Sequence, residues 1–190
     1  MTKYYYRLKE DGTFLDYTSF EDNAKVPSFI KELYTETDRK IIQLVDGSFA
    51  FEDEVNLEEE AIKKAEKELA TAKSNKINEL KNYRDTEEVE PIEYNGNYFD
   101  YDDKSRDRIK DAQERIEGTE YTIEWTTATN TDVPLGYFDF KGIRSAVADR
   151  ANVLHKKYRV LREQVDKATT IEEVEAIKWE EKIAEEGGNE

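Results

Sequence analysis

The feature that most constrains this chain is an apolar seam towards its carboxyl end. Seven residues recur there in alternating steps of four and three: Val147, Ala151, Leu154, Tyr158, Leu161, Val165 and Ala168. This spacing is typical of an α-helix that buries one face through three heptads. It predicts a long helix over about 139–168, whose seam is about 30 Å long at ~1.5 Å per residue. An apolar seam of that length must be buried against another protein surface, either of this chain or of another chain.

The same helix is basic, although the chain as a whole has a net charge of −16. Between 141 and 162 the one acidic residue is Asp149. The basic residues there are Lys141, Arg144, Arg150, Lys156, Lys157, Arg159 and Arg162. Several of them flank the seam, so a parallel self-pairing along it would oppose like charges.

We therefore expect an acidic cover and place the protein-interaction site on this helix. Its predicted residues are Val147, Ala151, Leu154, Tyr158, Leu161 and Val165 of the seam, with Arg150, Lys157 and Arg162 beside it. The Glu-rich start of a helix beginning at Asn56 could form the cover, either folded back or supplied by a neighbouring copy. An acidic surface on another chain could do the same.

Turn and cap signals organise the rest of the sequence. Asp11-Gly12, Asp46-Gly47 and Asn95-Gly96 each separate two strand-like runs and predict three β-hairpins. In the first, a two-residue turn pairs Leu8 with Leu15, Tyr6 with Tyr17 and Arg7 with Asp16. In the third, Ile92 opposes Phe99. Short helices are expected over 27–34, with Phe29, Ile30, Leu33 and Tyr34 on one side, and over about 103–117. A strand and then a loop are expected over 119–137.

Two capping signals mark further helix starts. Asn56 with Glu59 predicts a helix from 56 to about 83, in which Ile62, Ala65, Leu69 and Ala72 form a weaker coiled-coil seam. Thr170 with Glu173 is a capping box and starts a short helix at Ile171.

These elements predict an α+β fold in four segments. Residues 1–53 form a small β-rich N-terminal unit, and residues 54–75 form a bridging, coiled-coil-like helix. Residues 76–178 form a module of a hairpin, a helix, a strand and a long helix, and residues 179–190 form an acidic tail. The share of hydrophobic residues is 37% and that of charged residues 39%, which favours small cores joined by exposed helices over one large core.

Five segments of the module follow one another in a characteristic order: 77–85 (INELKNYRD), 92–100 (IEYNGNYFD), 105–109 (SRDRI), 123–130 (IEWTTATN) and 166–177 (DKATTIEEVEAI). In this order they resemble a domain family of unassigned function that is common in phage tail and tail-fibre gene products, and the resemblance covers about 75–178. It implies a phage-tail context but no catalytic residues.

No motif in the chain indicates an enzyme. The single histidine, His155, has no nucleophile or orienting partner at a recognisable spacing, and we interpret it as a helix-surface residue. Asp100, Asp102 and Asp103 lack the glycine and spacing of a calcium loop, and an aspartate before a helix serves as an N-cap. Alternation places Glu124 on the face opposite Trp125, towards solvent. We expect no catalytic, cofactor or metal site.

The function predicted from the sequence is that of a non-enzymatic structural component of a phage tail, baseplate- or fibre-associated, which binds other tail proteins. A homo-oligomer is expected, with a trimer preferred because tail fibres are commonly three-fold. The acidic net charge argues against nucleic acid and membranes as partners. We expect synthesis in the host cytoplasm and a final location in the virion tail. The alternatives are a fibre-assembly chaperone and a receptor- or carbohydrate-binding tail module.

Overall fold

The computed structural model describes residues 2–22 and 25–180, and the predicted acidic tail lies for the most part outside them. The fold is α+β. The chain divides into two compact units, 1–70 and 71–190. A 32-residue helix, α2 (Leu57–Glu88), contributes its first part to the first unit and its later part to the second. Its start agrees with the expected cap, because Asn56 Oδ1 accepts hydrogen bonds from the N–H groups of Glu58 and Glu59.

The first unit contains two small antiparallel sheets. Strands β1 (Lys3–Leu8), β2 (Phe14–Phe20) and β3 (Thr35–Thr37) form one sheet in the order β2-β1-β3. Strands β4 (Ile41–Gln43) and β5 (Phe49–Phe51) form the other. The helix α1 (Ser28–Leu33) lies between β2 and β3 in the chain. The small core consists of Tyr5, Val26 and Ile30, with Phe20 and Tyr34 packed against it.

The first hairpin confirms two of its three predicted pairs and corrects the third. Tyr6 pairs with Tyr17 and Arg7 with Asp16, but Leu8 pairs with Phe14 and not with Leu15. The reason is a longer loop, closed by the Lys9 N–H donating to the Thr13 carbonyl, with Gly12 at φ 83°. A three-residue loop with a left-handed glycine adds a bulge and shifts the register.

The predicted apolar side of α1 is also wrong in part. Ile30 is buried, whereas Phe29 and Leu33 are 56% and 62% exposed. Those two residues are four apart and share one side of the helix. That side faces solvent.

The second unit is built around the later part of α2 and a long helix, α4 (Tyr137–Lys167). Between them come the hairpin β6 (Ile92–Tyr94) and β7 (Asn97–Phe99), the helix α3 (Asp103–Arg115), and a hairpin of β8 (Ile123–Thr126) and β9 (Asp132–Leu135). A short helix, α5 (Ile171–Ala176), follows α4. The strand β9 replaces the loop that was expected after β8.

The hairpins and α3 form one core against the amino-terminal half of α4. Its buried members are Ile92, Phe99, Ile109, Ala112, Ile116, Leu135, Phe140, Ile143 and Val147. Ile92 pairs with Phe99 as predicted, and the turn places Asn95 at φ 49° and Gly96 at φ 74°. Two successive left-handed residues are the geometry that an Asn-Gly hairpin turn favours.

Side-chain caps fix the starts of α3 and α5. Asp102 accepts a hydrogen bond from the Ser105 N–H at 2.7 Å, which lowers the pKa of its carboxyl group. Thr170 and Glu173 form the predicted capping box. Hydrogen bonds from the backbone N–H and the hydroxyl group of Thr169 lower the pKa of Glu173.

Candidate functional site: two faces of a basic helix

The predicted seam of α4 lies on the inner side of the second unit. Val147, Leu154, Leu161 and Val165 are buried, with Leu161 and Val165 fully so. Ala151 and Tyr158 are partly buried. The seam is therefore covered within one chain, as a seam of that length requires.

The later part of α2 lies beside α4 and runs antiparallel to it, as three contacts between the two helices show. Lys73 Nζ donates to the Asp166 carbonyl at 2.8 Å, and the Arg84 guanidinium lies 4.9 Å from the centre of the Tyr158 ring. The strand β6 packs on the amino-terminal half of α4. Within this unit the elements packed on α4 are thus β6, α3, β9 and α5, with the later part of α2 alongside. The acidic cover expected from the sequence stays a prediction.

Arg150 acts within the fold as a clamp on the end of α2. Its Nη2 donates to the Glu88 carbonyl at 2.8 Å, and its Nη1 donates to the carbonyls of Glu90 and Pro91 at 2.8 and 3.2 Å. The last carbonyls of a helix have no partner inside it, and a cation at that end also interacts favourably with the helix dipole. Arg150 therefore stabilises the junction between α2 and β6.

The other two predicted basic residues differ in their surroundings. Lys157 Nζ lies 4.7 Å from the ring centre of Trp179, a buried residue after α5. Arg162 is 56% exposed at its side chain, and its Nε lies 3.9 Å from Asp166 Oδ2. An exposed ion pair this long contributes little to stability. Of the three, Arg162 alone points to solvent.

His155 lies on the side of α4 that approaches the end of α2. Its Nε2 is 2.9 Å from Glu88 Oε1, and its side chain is 53% exposed. This contact gives His155 a carboxylate partner that no spacing in the sequence indicated, while its side chain remains exposed on the helix surface.

The opposite, outer face of α4 carries three exposed cations. Lys141, Lys156 and Arg159 are exposed, and none of them forms an ion pair with a carboxylate in the described part of the chain. Lys141 and Arg159 are 18 residues apart, which is five helical turns or about 27 Å, so they share one side of the helix. Ser145, Ala148 and Asn152 lie between them and are small and exposed.

An exposed aromatic residue stands at the amino-terminal end of this outer face. Phe138 is 78% exposed and contacts the Tyr137 ring edge-on at 5.4 Å. Tyr121, in the segment that precedes β8, is 75% exposed. We define the basic outer face as Lys141, Lys156 and Arg159 with Phe138 at its end. The basic run was visible in the sequence, but Phe138 was not identified, since no periodic signal separates it from the core residue Phe140.

Glu124 is exposed, as alternation predicted, and Trp125 packs on the core with its ring 5.2 Å from Phe140. Among residues 2–22 and 25–180, no group of three or more His, Asp or Glu side chains is placed to hold a metal ion. None of the helices in that part of the chain is both long and apolar enough to cross a membrane.

Comparison with known proteins assigns a family to the second unit. No curated protein and no solved structure matches the chain. A family model does match, over residues 71–178, which is more than half of the chain and contains α3, both hairpins and α4. The chain therefore belongs to the family described as a domain of unknown function (DUF4376).

Proposed function

We propose that this chain is a non-enzymatic structural component of a bacteriophage tail, associated with the baseplate or the fibres, and that it binds other tail proteins through the basic outer face of α4. The observation that carries the binding role is that Lys141, Lys156 and Arg159 have no carboxylate partner among residues 2–22 and 25–180, in a protein of net charge −16. The tail context is supported by the sequence resemblance described above.

Charge distribution favours an acidic partner surface. Exposed cations attract an acidic surface, and this attraction raises the rate of association and selects the orientation. Ser145, Ala148 and Asn152 add little bulk between the cations, so a helix or strand of a partner can approach α4 closely there. Phe138 offers an apolar contact at one end, and exposed aromatic residues are enriched at protein interfaces.

A homo-oligomer forms part of the proposal, with three copies preferred because of the fibre context. The buried seam of α4 does not serve this assembly, since it is covered within the chain. The copies must therefore contact each other through surfaces that remain exposed.

The first test is the composition of purified virions. Mass spectrometry is expected to detect the chain there at a stoichiometry typical of a tail component. Absence from virions, combined with transient binding to fibre protein in lysates, would replace this proposal with a fibre-assembly chaperone. Binding of purified protein to a glycan array would replace it with a receptor-binding module.

The second test addresses the basic outer face. The triple variant Lys141→Glu/Lys156→Glu/Arg159→Glu is expected to lose capture of tail proteins and to enter virions poorly. A matched variant reverses three exposed lysines elsewhere: Lys9→Glu/Lys31→Glu/Lys81→Glu. It changes the net charge equally and is expected to bind as the wild type does. Equal loss in both variants would indicate a general charge effect and refute the assignment of this face.

A further inference from the structure

The first part of α2 exposes an apolar seam of its own. Ile62, Ala65 and Leu69 follow a three–four spacing, and Ala72 continues it. Ile62 is 55% exposed, Ala65 is exposed and Leu69 is partly buried. Unlike the α4 seam, this seam is exposed to solvent, and Ile62 is its exposed residue with the largest apolar side chain.

The opposite side of the same helix is fixed to the β4–β5 hairpin. Glu60 Oε2 accepts a hydrogen bond from the Val45 N–H at 3.1 Å, and Lys67 Nζ donates to the Val45 carbonyl at 2.8 Å. With Ile62 and Leu69 at heptad position a, Glu60 and Lys67 both occupy position f, which is farthest from the seam. The first unit thus holds the back of the helix and leaves the seam facing outward.

We propose that this seam, Ile62–Ala65–Leu69–Ala72, pairs with the same seam of a second copy of the chain, with the two helices parallel and in register. Charge supports this arrangement. Glu68 is at position g and Lys73 at the following position e, so a parallel pair places Glu68 of each copy beside Lys73 of the other. The contact of Lys73 with the Asp166 carbonyl leaves its ammonium group further protons to donate.

The composition of the seam also sets the strength of the pairing. Alanine at both d positions buries little apolar surface, so Ile62 and Leu69 carry most of the contact. The association is therefore weak and reversible, and it increases with protein concentration. It does not depend on the basic outer face of α4 or on a phage origin of the chain.

Two equally exposed apolar residues of α2 provide the test. Ile62 lies on the seam and is 55% exposed, whereas Leu57 lies off it, at position c, and is 52% exposed. Sedimentation over a wide concentration range is expected to show the wild type and Leu57→Gln associating into two or more copies, and Ile62→Gln remaining monomeric. A wild type that stays monomeric throughout, or equal behaviour of the two variants, overturns the proposal.

Disulfide trapping then tests the register, because the chain contains no cysteine. In a parallel, in-register pair the two copies of residue 62 face each other. Ile62→Cys is expected to form a linked dimer under mild oxidation, whereas Lys64→Cys, at outward position c, is not. Equal yields from the two variants, or no dimer from Ile62→Cys, contradict the arrangement. Capture of tail proteins is read separately, so failure here is distinguishable from failure of the proposed function.

Discussion

Replacing Gly142 with alanine adds one methyl group where α4 packs on Tyr94 of β6. A Cβ at that position would lie 2.3 Å from Cε2 of Tyr94 and 2.5 Å from its Cζ and its hydroxyl oxygen. Favourable contacts between carbon atoms occur at about 3.5–4.0 Å, so the tyrosine ring must move. Tyr94 belongs to β6 and packs against the core of the second unit, which restricts that movement.

Two effects of opposite sign determine the result. Alanine is about 1 kcal/mol more favourable than glycine inside a helix. Forcing extra volume into a packed site costs about 1–3 kcal/mol, and a contact more than 1 Å too short belongs at the upper end of that range. We therefore expect Gly142→Ala to lower the free energy of unfolding of the second unit by about 1–2 kcal/mol.

The assay is urea unfolding followed by tryptophan fluorescence. Both tryptophans, Trp125 and Trp179, belong to the second unit, so the signal reports that unit separately from the first. The control is the same substitution in a Tyr94→Leu background, where the clashing ring is absent. There Gly142→Ala is expected to stabilise the unit by up to about 1 kcal/mol. Equal stabilisation in both backgrounds would refute the reasoning, because it would show that the ring yields at no cost.

Three further predictions concern the second unit and use the same fluorescence signal. Arg150→Ala removes three hydrogen bonds from a charged group, one to the last residue of α2 and two to residues just after it. It is expected to cost about 2–3 kcal/mol, and a loss below about 0.5 kcal/mol would contradict the role of Arg150. Arg150→Lys is expected to restore less than half of that loss, because an ammonium group cannot reach all three carbonyls. Thr170→Ala removes a cap of α5 and is expected to cost about 1 kcal/mol, whereas Thr170→Ser retains most of the stability. The pKa of Glu173 is lower in the folded state than in the unfolded chain. Its carboxylate therefore stabilises the unit fully at pH values above the ordinary glutamate pKa, and this contribution is lost as the pH falls through the folded-state pKa. In the Glu173→Gln variant, the free energy of unfolding should therefore fall less steeply as the pH is lowered into the acid range. An unchanged fall would show that Glu173 does not cause it.

Local signals predicted most of the elements because their physical causes are local. The Asn95-Gly96 turn, the capping box at Thr170 and the Asn56 cap each depend on a few adjacent residues. The α4 seam was predicted as a helix face for the same reason. The helix itself begins at Tyr137, two residues before the expected start, because the N–H of Gly136 donates to Asp139 Oδ2.

The parts that were missed depend on tertiary structure or on competing turn types. An Asp-Gly pair suits both a two-residue and a three-residue loop, and the sequence near Gly12 does not decide between them. The strand β9 contains Pro134, which argues against a central strand but is tolerated in a two-stranded hairpin, where each strand has a free edge. What covers α4 could not be predicted, since periodicity identifies a buried face but not the element packed on it. The basic outer face can be located only once the buried face is known, because it lies on the opposite side of the helix.

The clamp formed by Arg150 has a consequence for which substitutions the chain can accept. Its three acceptors are main-chain carbonyls, and every amino acid supplies one. The side chain of Glu90 can therefore be exchanged without removing an acceptor, whereas no other side chain provides the planar, multidentate donor of Arg150. In a library randomised at positions 90 and 150, selection for stability should retain arginine at position 150. Position 90 should remain free to vary for binding or solubility.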